Sequence, residues 1–177
     1  MKKMKRFVAV LLVGIMALAM LTACGGTGND AATAKFEASV EQAYMAKLKE
    51  KFGEEFKNFE NDADIKKLAV EHIEEMANNE TLSMDELWKK EELSEKAQNW
   101  VMICYDVNQG TGKAYVKSSY EAGKAETIET KNIDTFFSLA QMKRANVAKK
   151  AKFTALGVGA KTINGKTYVA IGFRVEG

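Results

Sequence analysis

Apolar residues recur every fourth position at Val40, Tyr44, Leu48, Phe52 and Phe56, which predicts a helix from about Phe36 to Phe56 with one inward stripe. A second helix is expected from about Asp64 to Asn78. There Ile65, Leu68, Ala69, His72 and Met76 fall at offsets 0, 3, 4, 7 and 11 and share a face. A third helix is expected over Met84 to Val107, with Leu93, Ala97, Trp100, Val101 and Cys104 on one side. Its end also suits a strand, because Trp100 to Val107 is rich in β-formers. Gln109-Gly110-Thr111-Gly112 breaks the chain, and Ala114-Tyr115-Val116 reads as a short strand. Lys117 to Lys131 is polar and irregular by pattern. A last helix is expected from about Asn132 to Lys149, with Ile133, Phe136, Phe137, Ala140 and Val147 on its inner side. The chain has no proline, so helix stops fall to glycine and asparagine.

The C-terminus carries the sharpest local signal. Asn164-Gly165 lies between two β-rich runs, and both residues tolerate positive φ, which predicts a two-residue hairpin turn. Ile163 then opposes Lys166, and the register pairs Ala160 with Val169, Val158 with Ile171, and Leu156 with Phe173. Those six side chains share a core-forming face. The opposite face holds Gly157, Gly159, Ala170 and Gly172, a nearly bare backbone over which a packed helix or a bound molecule passes closely.

The N-terminus is patterned for export. Lys2, Lys3, Lys5 and Arg6 precede an uncharged apolar run from Phe7 to Leu21, short for a membrane span and followed by small residues. Leu21-Thr22-Ala23-Cys24 resembles the lipobox of bacterial lipoproteins. That resemblance implies cleavage before Cys24, lipid on its sulfur, and a protein held to the membrane on its extracytoplasmic face. A plain signal peptide or an uncleaved anchor helix is the simpler alternative. Residues 1–23 are thus expected as a signal and residues 24–35, small and polar, as a flexible tether.

Export changes the charge. The 177 residues less the 23 of the signal leave 154, enough for one domain with a core. Four basic residues and no acid leave with the signal, so the net charge goes from +2 to −2. No clustered basic face remains to suggest a nucleic-acid partner. With Cys24 assigned to lipid, Cys104 has no cysteine in the domain to bridge to. Its neighbours Met102, Ile103 and Tyr105 mark it as a buried filler. His72 is the one histidine, which excludes a two-histidine metal site or a pair of imidazoles in catalysis. No metal or other cofactor is expected. His72 itself reads as a core or boundary residue before it reads as a ligand.

Lys143-Arg144-Ala145-Asn146-Val147, Phe153-Thr154-Ala155-Leu156-Gly157-Val158-Gly159, Asn164-Gly165-Lys166-Thr167-Tyr168-Val169 and Phe173 together resemble, in order and spacing, the C-terminal motifs of the CAP (SCP-like) domain. The resemblance implies an α+β fold over residues 36–177: a three-layer α/β/α sandwich with a small antiparallel sheet, its C-terminal hairpin flanked by helices. Residues 84 to 131 align poorly with it. The departures concern the pocket. Lys143 stands at a histidine position of the family motif, Phe137 at a tryptophan position and Ala140 at a serine position. No histidine exists near Leu82-Ser83-Met84, where the other is expected. Ala122-Gly123-Lys124 offers lysine where the family has an acid.

Spacing puts Lys143 on the face of Phe136, Ala140 and Val147, towards the domain. There it pairs with a carboxylate, snorkels to the edge, or receives an anionic group of a ligand. The candidate pocket therefore comprises Lys143, Phe137, Ala140, Gly157, Gly159 and His72. Three functional readings follow. The first is a non-catalytic CAP-like module that binds a lipid, a glycan fragment or a partner protein. The second is a cell-envelope hydrolase working through Asp, Glu or Lys, for which no nucleophile with an adjacent base is visible. The third is a structural accessory lipoprotein unrelated to the CAP family.

Overall fold

Asn164 and Gly165 both take positive φ, 51° and 75°, and close the turn between the two longest strands. The computed structural model describes residues 28–117, 120–121, 130 and 132–177; residues 36–177 form one compact unit. Its elements are α1 (Gly28–Phe52), a 3-10 turn (Gly53–Glu55), α2 (Ala63–Met76), β1 (Trp88–Ser94), β2 (Ala97–Ile103), β3 (Tyr105–Val107), β4 (Ala114–Val116), β5 (Tyr120–Glu121), α3 (Ile133–Val147), β6 (Lys152–Ile163) and β7 (Lys166–Glu176). The fold is mixed α and β. Its main sheet is antiparallel in the order β1, β2, β7, β6, with the two-residue β5 beside the start of β7. Strands β3 and β4 make a separate pair.

The hairpin has the expected register: Ile163 faces Lys166, Ala160 faces Val169, Val158 faces Ile171 and Leu156 faces Phe173. Those apolar pairs join α1 and α3 in one core through Val40, Tyr44, Leu48, Phe136 and Ala140, with Phe56 added from just after the 3-10 turn. Helix α2 covers the other face with Ile65, Leu68, Ala69 and Ile73. It can approach because that face is glycine. A Cβ on Gly157 would stand 2.7 Å from Ile65, and one on Gly159 would stand 2.8 Å from Ala69. The sheet thus lies between helices on both faces. Asp62 starts α2 by accepting from the backbone N–H groups of Asp64 and Ile65, both at 3.1 Å.

Strand β6 is an edge, and side chains close it. Glu41 Oε1 accepts from Ala160 N–H at 3.1 Å and Glu37 Oε1 from Thr162 N–H at 2.6 Å. Asn61 accepts from Val158 N–H at 2.8 Å and donates to its carbonyl at 3.0 Å. The N–H groups of Val158, Ala160 and Thr162, which would otherwise template another strand, are thus satisfied within the chain.

Two sequence expectations need correction. The region from Trp88 to Val107 is not a helix but the β1–β2 hairpin and β3. Strand β2 is central, so Val101, Met102 and Ile103 are all buried, alternately against the two helical layers. A strand covered on both faces shows no polar alternation, and its apolar run fits a helical template equally well. The second correction is at the N-terminus. Helix α1 begins at Gly28, so Gly28 to Lys35 are helical and not an open tether, as the alanine-rich composition of that stretch permits. Cys24, the signal, the rest of the tether and Ala122-Gly123-Lys124 lie outside the described residues. No helix among the described residues is long and apolar enough to cross a membrane.

Candidate functional site

Register builds the site. Trp88 pairs with Met102 and Lys90 with Trp100, so both indoles rise from the sheet face that α3 covers. Phe136, in the first turn of α3, stacks on Trp88 with centroids 6.3 Å apart and meets Phe173 edge-on at 5.8 Å. Two turns along α3, the Lys143 ammonium lies 3.9 Å from the Trp100 ring centroid and 4.7 Å from that of Trp88. Indole is the best aromatic face for a cation, and two of them hold this one.

Lys143 makes no ion pair or hydrogen bond among the described residues. Burial holds its amine below the ordinary lysine range; the charge of Asp85 opposes that shift and the charge of Lys90 reinforces it. The amine stands where two hollows meet. The larger, of about 460 Å³, runs between α3 and β1, with Met84, Asp85, Trp88, Leu139 and Met142 along it. The smaller, of about 270 Å³, is lined by Lys90, Gln98 and Val147. Trp100, Lys143 and Asn146 belong to both.

The six residues singled out by sequence do not share one cavity. Lys143 lines the groove. Ala140 is wholly buried core on the same helix, and Phe137, partly buried against that core, stacks on Phe52 with centroids 3.7 Å apart. Gly157 and Gly159 lie across the sheet beneath α2, with backbone and side chains of that helix filling the space over them. His72 is on α2, also across the sheet. Its Nε2 donates to the Leu87 carbonyl at 3.2 Å, and its Nδ1 has no hydrogen-bond partner among the described residues and lies 4.0 Å from a Glu75 carboxylate oxygen. Desolvation lowers its pKa below the usual histidine value.

Trp88, Trp100 and Met84 are absent from the pocket read in the sequence because a helix over Met84 to Val107 scatters them, and Met142 because it falls outside the apolar stripe of α3. The hairpin turn at Glu95-Lys96 has none of the glycine or asparagine that would have betrayed it. Among the described residues no group of three or more His, Cys, Asp or Glu side chains is placed to hold a metal ion. Cys104 is buried, 4.0 Å from the Tyr44 hydroxyl, and desolvation pushes its thiol up to about 12. No family model matches the chain, and no curated protein and no solved structure matches it.

Proposed function

We propose that this chain is a lipid-anchored protein of the extracytoplasmic face whose domain is a divergent CAP-like sandwich, serving as a non-catalytic module that binds a ligand or a partner protein. The observation that carries the reading is the position of Lys143. The residue aligned with a motif histidine is a lysine on α3, its amine laid on two indoles at the meeting of two surface hollows. An ammonium held this way recognises charge, and nothing beside it among the groove residues forms a nucleophile–base pair. The sheet with α2 on one face and α1 and α3 on the other agrees with the three layers that the resemblance implies. Export and anchoring rest on the order of basic, apolar and small residues before Cys24.

The test uses the full-length protein made in a bacterial host. Labelled palmitate should enter the wild type and not Cys24→Ser, and only the wild type should partition into detergent. The purified wild type and Lys143→Ala should be equally inert towards ester, peptide and glycoside reporters and should melt alike. Metal-dependent hydrolysis that Lys143→Ala abolishes would overturn the non-catalytic reading.

A further inference from the structure

Four large apolar side chains are exposed among the described residues: Met84 (60%), Leu93 (45%), Val107 (38%) and Met142 (56%). Two of the four, Met84 and Met142, rim one hollow, whose remaining apolar lining is Leu139 and the two indoles. Clustered apolar surface of this kind marks a contact site, and methionine supplies a soft surface that repacks around differing side chains. The adjoining hollow differs in character. Lys90, Lys143, Gln98 and Asn146 line it, and no acidic side chain does; Asp85 stands only on the larger hollow. Lys90 pairs with Glu92, whereas Lys143 forms no ion pair among the described residues, Asp85 acting on it only through its charge. Gln98 accepts from Trp100 Nε1 through its oxygen, which leaves its amide hydrogens to donate. The groove therefore offers an apolar seat and, beside it, a cluster of donors.

A ligand that spans both hollows carries a negative group next to an apolar one. Stacking of a sugar on the indoles is opposed by Lys143, which already occupies ring surface at 3.9 Å. An acyl chain is served by a pocket that encloses most of its surface, whereas this groove is rimmed by methionines more than half exposed. An extended peptide needs only one side chain seated and the next one paired.

We propose that this groove docks an acidic, aliphatic segment of a partner protein. An Asp or Glu carboxylate meets Lys143 in the smaller hollow, and a neighbouring Leu, Ile, Met or Phe side chain fills the larger. The inference rests on the binding-module reading and goes beyond it by naming the partner's chemistry.

Trp88 and Trp100 are the only tryptophans in the chain, so indole emission reports on this groove. A displayed library of random short peptides is panned on the full-length protein in detergent micelles, with Lys143→Gln and Met142→Ser as counter-targets. The expected winners carry Asp or Glu beside an aliphatic or aromatic residue. A synthetic winner should shift indole emission. Changing its acid to the amide should weaken binding by about tenfold or more, as expected for loss of a charge-assisted contact. Because that last comparison alters only the peptide, it holds even where a protein variant fails to fold. Absence of enrichment, basic winners, or indifference to the acid-to-amide change overturns the inference. Decanoate and a soluble cell-wall glycan are titrated alongside. If either shifts the emission where peptides do not, the peptide assignment fails and the binding module stands. If none of the three does, both fail.

Discussion

Gly157 and Ile65 are in contact as backbone against side chain: a methyl group in place of the glycine hydrogen would lie 2.7 Å from both Cβ and Cγ2 of Ile65, and 3.1 Å from the Lys66 backbone nitrogen. Helix α2 sits on the sheet at a distance that glycine alone allows. Gly157→Ala should therefore push the helix off its seat and destabilise the fold by about 1–3 kcal/mol, the usual cost of overpacking. Gly110→Ala, which meets only the Asn108 side chain at 3.3 Å, is the control and should cost far less. Urea unfolding of the two variants, compared at their midpoints, decides it.

The carboxylate of Glu41 is buried against β6, where it takes the Ala160 N–H at 3.1 Å and the Lys66 ammonium at 2.6 Å. Glu41→Ala strips a partner from both. The loss should be about 1–3 kcal/mol, mostly from the stranded N–H, because Lys66 is substantially exposed and recovers water. Glu41→Gln, which keeps an oxygen for Ala160, should lose less. Equal losses in the two variants would contradict this division.

His72 gives the stability a pH dependence of known sign. Desolvation lowers its folded-state pKa below its value of 6.5 in the open chain. Between those two values the unfolded state holds a proton that the folded state lacks. The contribution is therefore whole above about pH 6.5 and is lost as pH falls from there through the folded pKa. Glu75 and Lys89 act on the ring in opposite senses and do not reverse the burial effect. Melting temperatures of the wild type should fall between pH 8 and pH 5 more steeply than those of His72→Gln. Parallel curves would remove His72 as the cause.

Cys104 should be inert while the protein is folded. A thiol pushed up to about 12 and shut beneath Tyr44 supplies almost no thiolate at neutral pH. Iodoacetamide followed by mass spectrometry should leave Cys104 unmodified in buffer and alkylate it in denaturant. Rapid labelling of the native protein would show that α1 opens readily from the sheet.

Legibility in the sequence tracked how local the determining interaction is. The β6–β7 register was readable because two residues, Asn164 and Gly165, fix it, and the burial of Leu156, Val158, Ala160, Val169, Ile171 and Phe173 agrees with it. Helices α1, α2 and α3 were readable as amphipathic stripes, although α1 begins earlier than its stripe does. The β1–β2 hairpin was hidden. Lys89, Lys90, Glu91 and Glu92 are good helix formers, and what makes them a strand is pairing with β2, itself held to a β7 far along the chain. The site inherited that gap. Lys143 could be placed on the inward side of its helix by counting, but the indoles beneath it belong to strands that counting had folded as a helix. Gly157 and Gly159 were correctly assigned to one bare face. That face belongs to α2, and only the tertiary packing separates it from the groove.

The closure of β6 by Glu37, Glu41 and Asn61 bears on how copies of this chain coexist when crowded. At the opposite border of the main sheet, β1 displays Lys90, Glu91 and Glu92 to solvent. One margin is already occupied from within, and the other meets an approaching duplicate with mixed charge that must be desolvated first. A strand approaching the main sheet consequently finds β6 N–H groups already bonded at one border and exposed charge at the other.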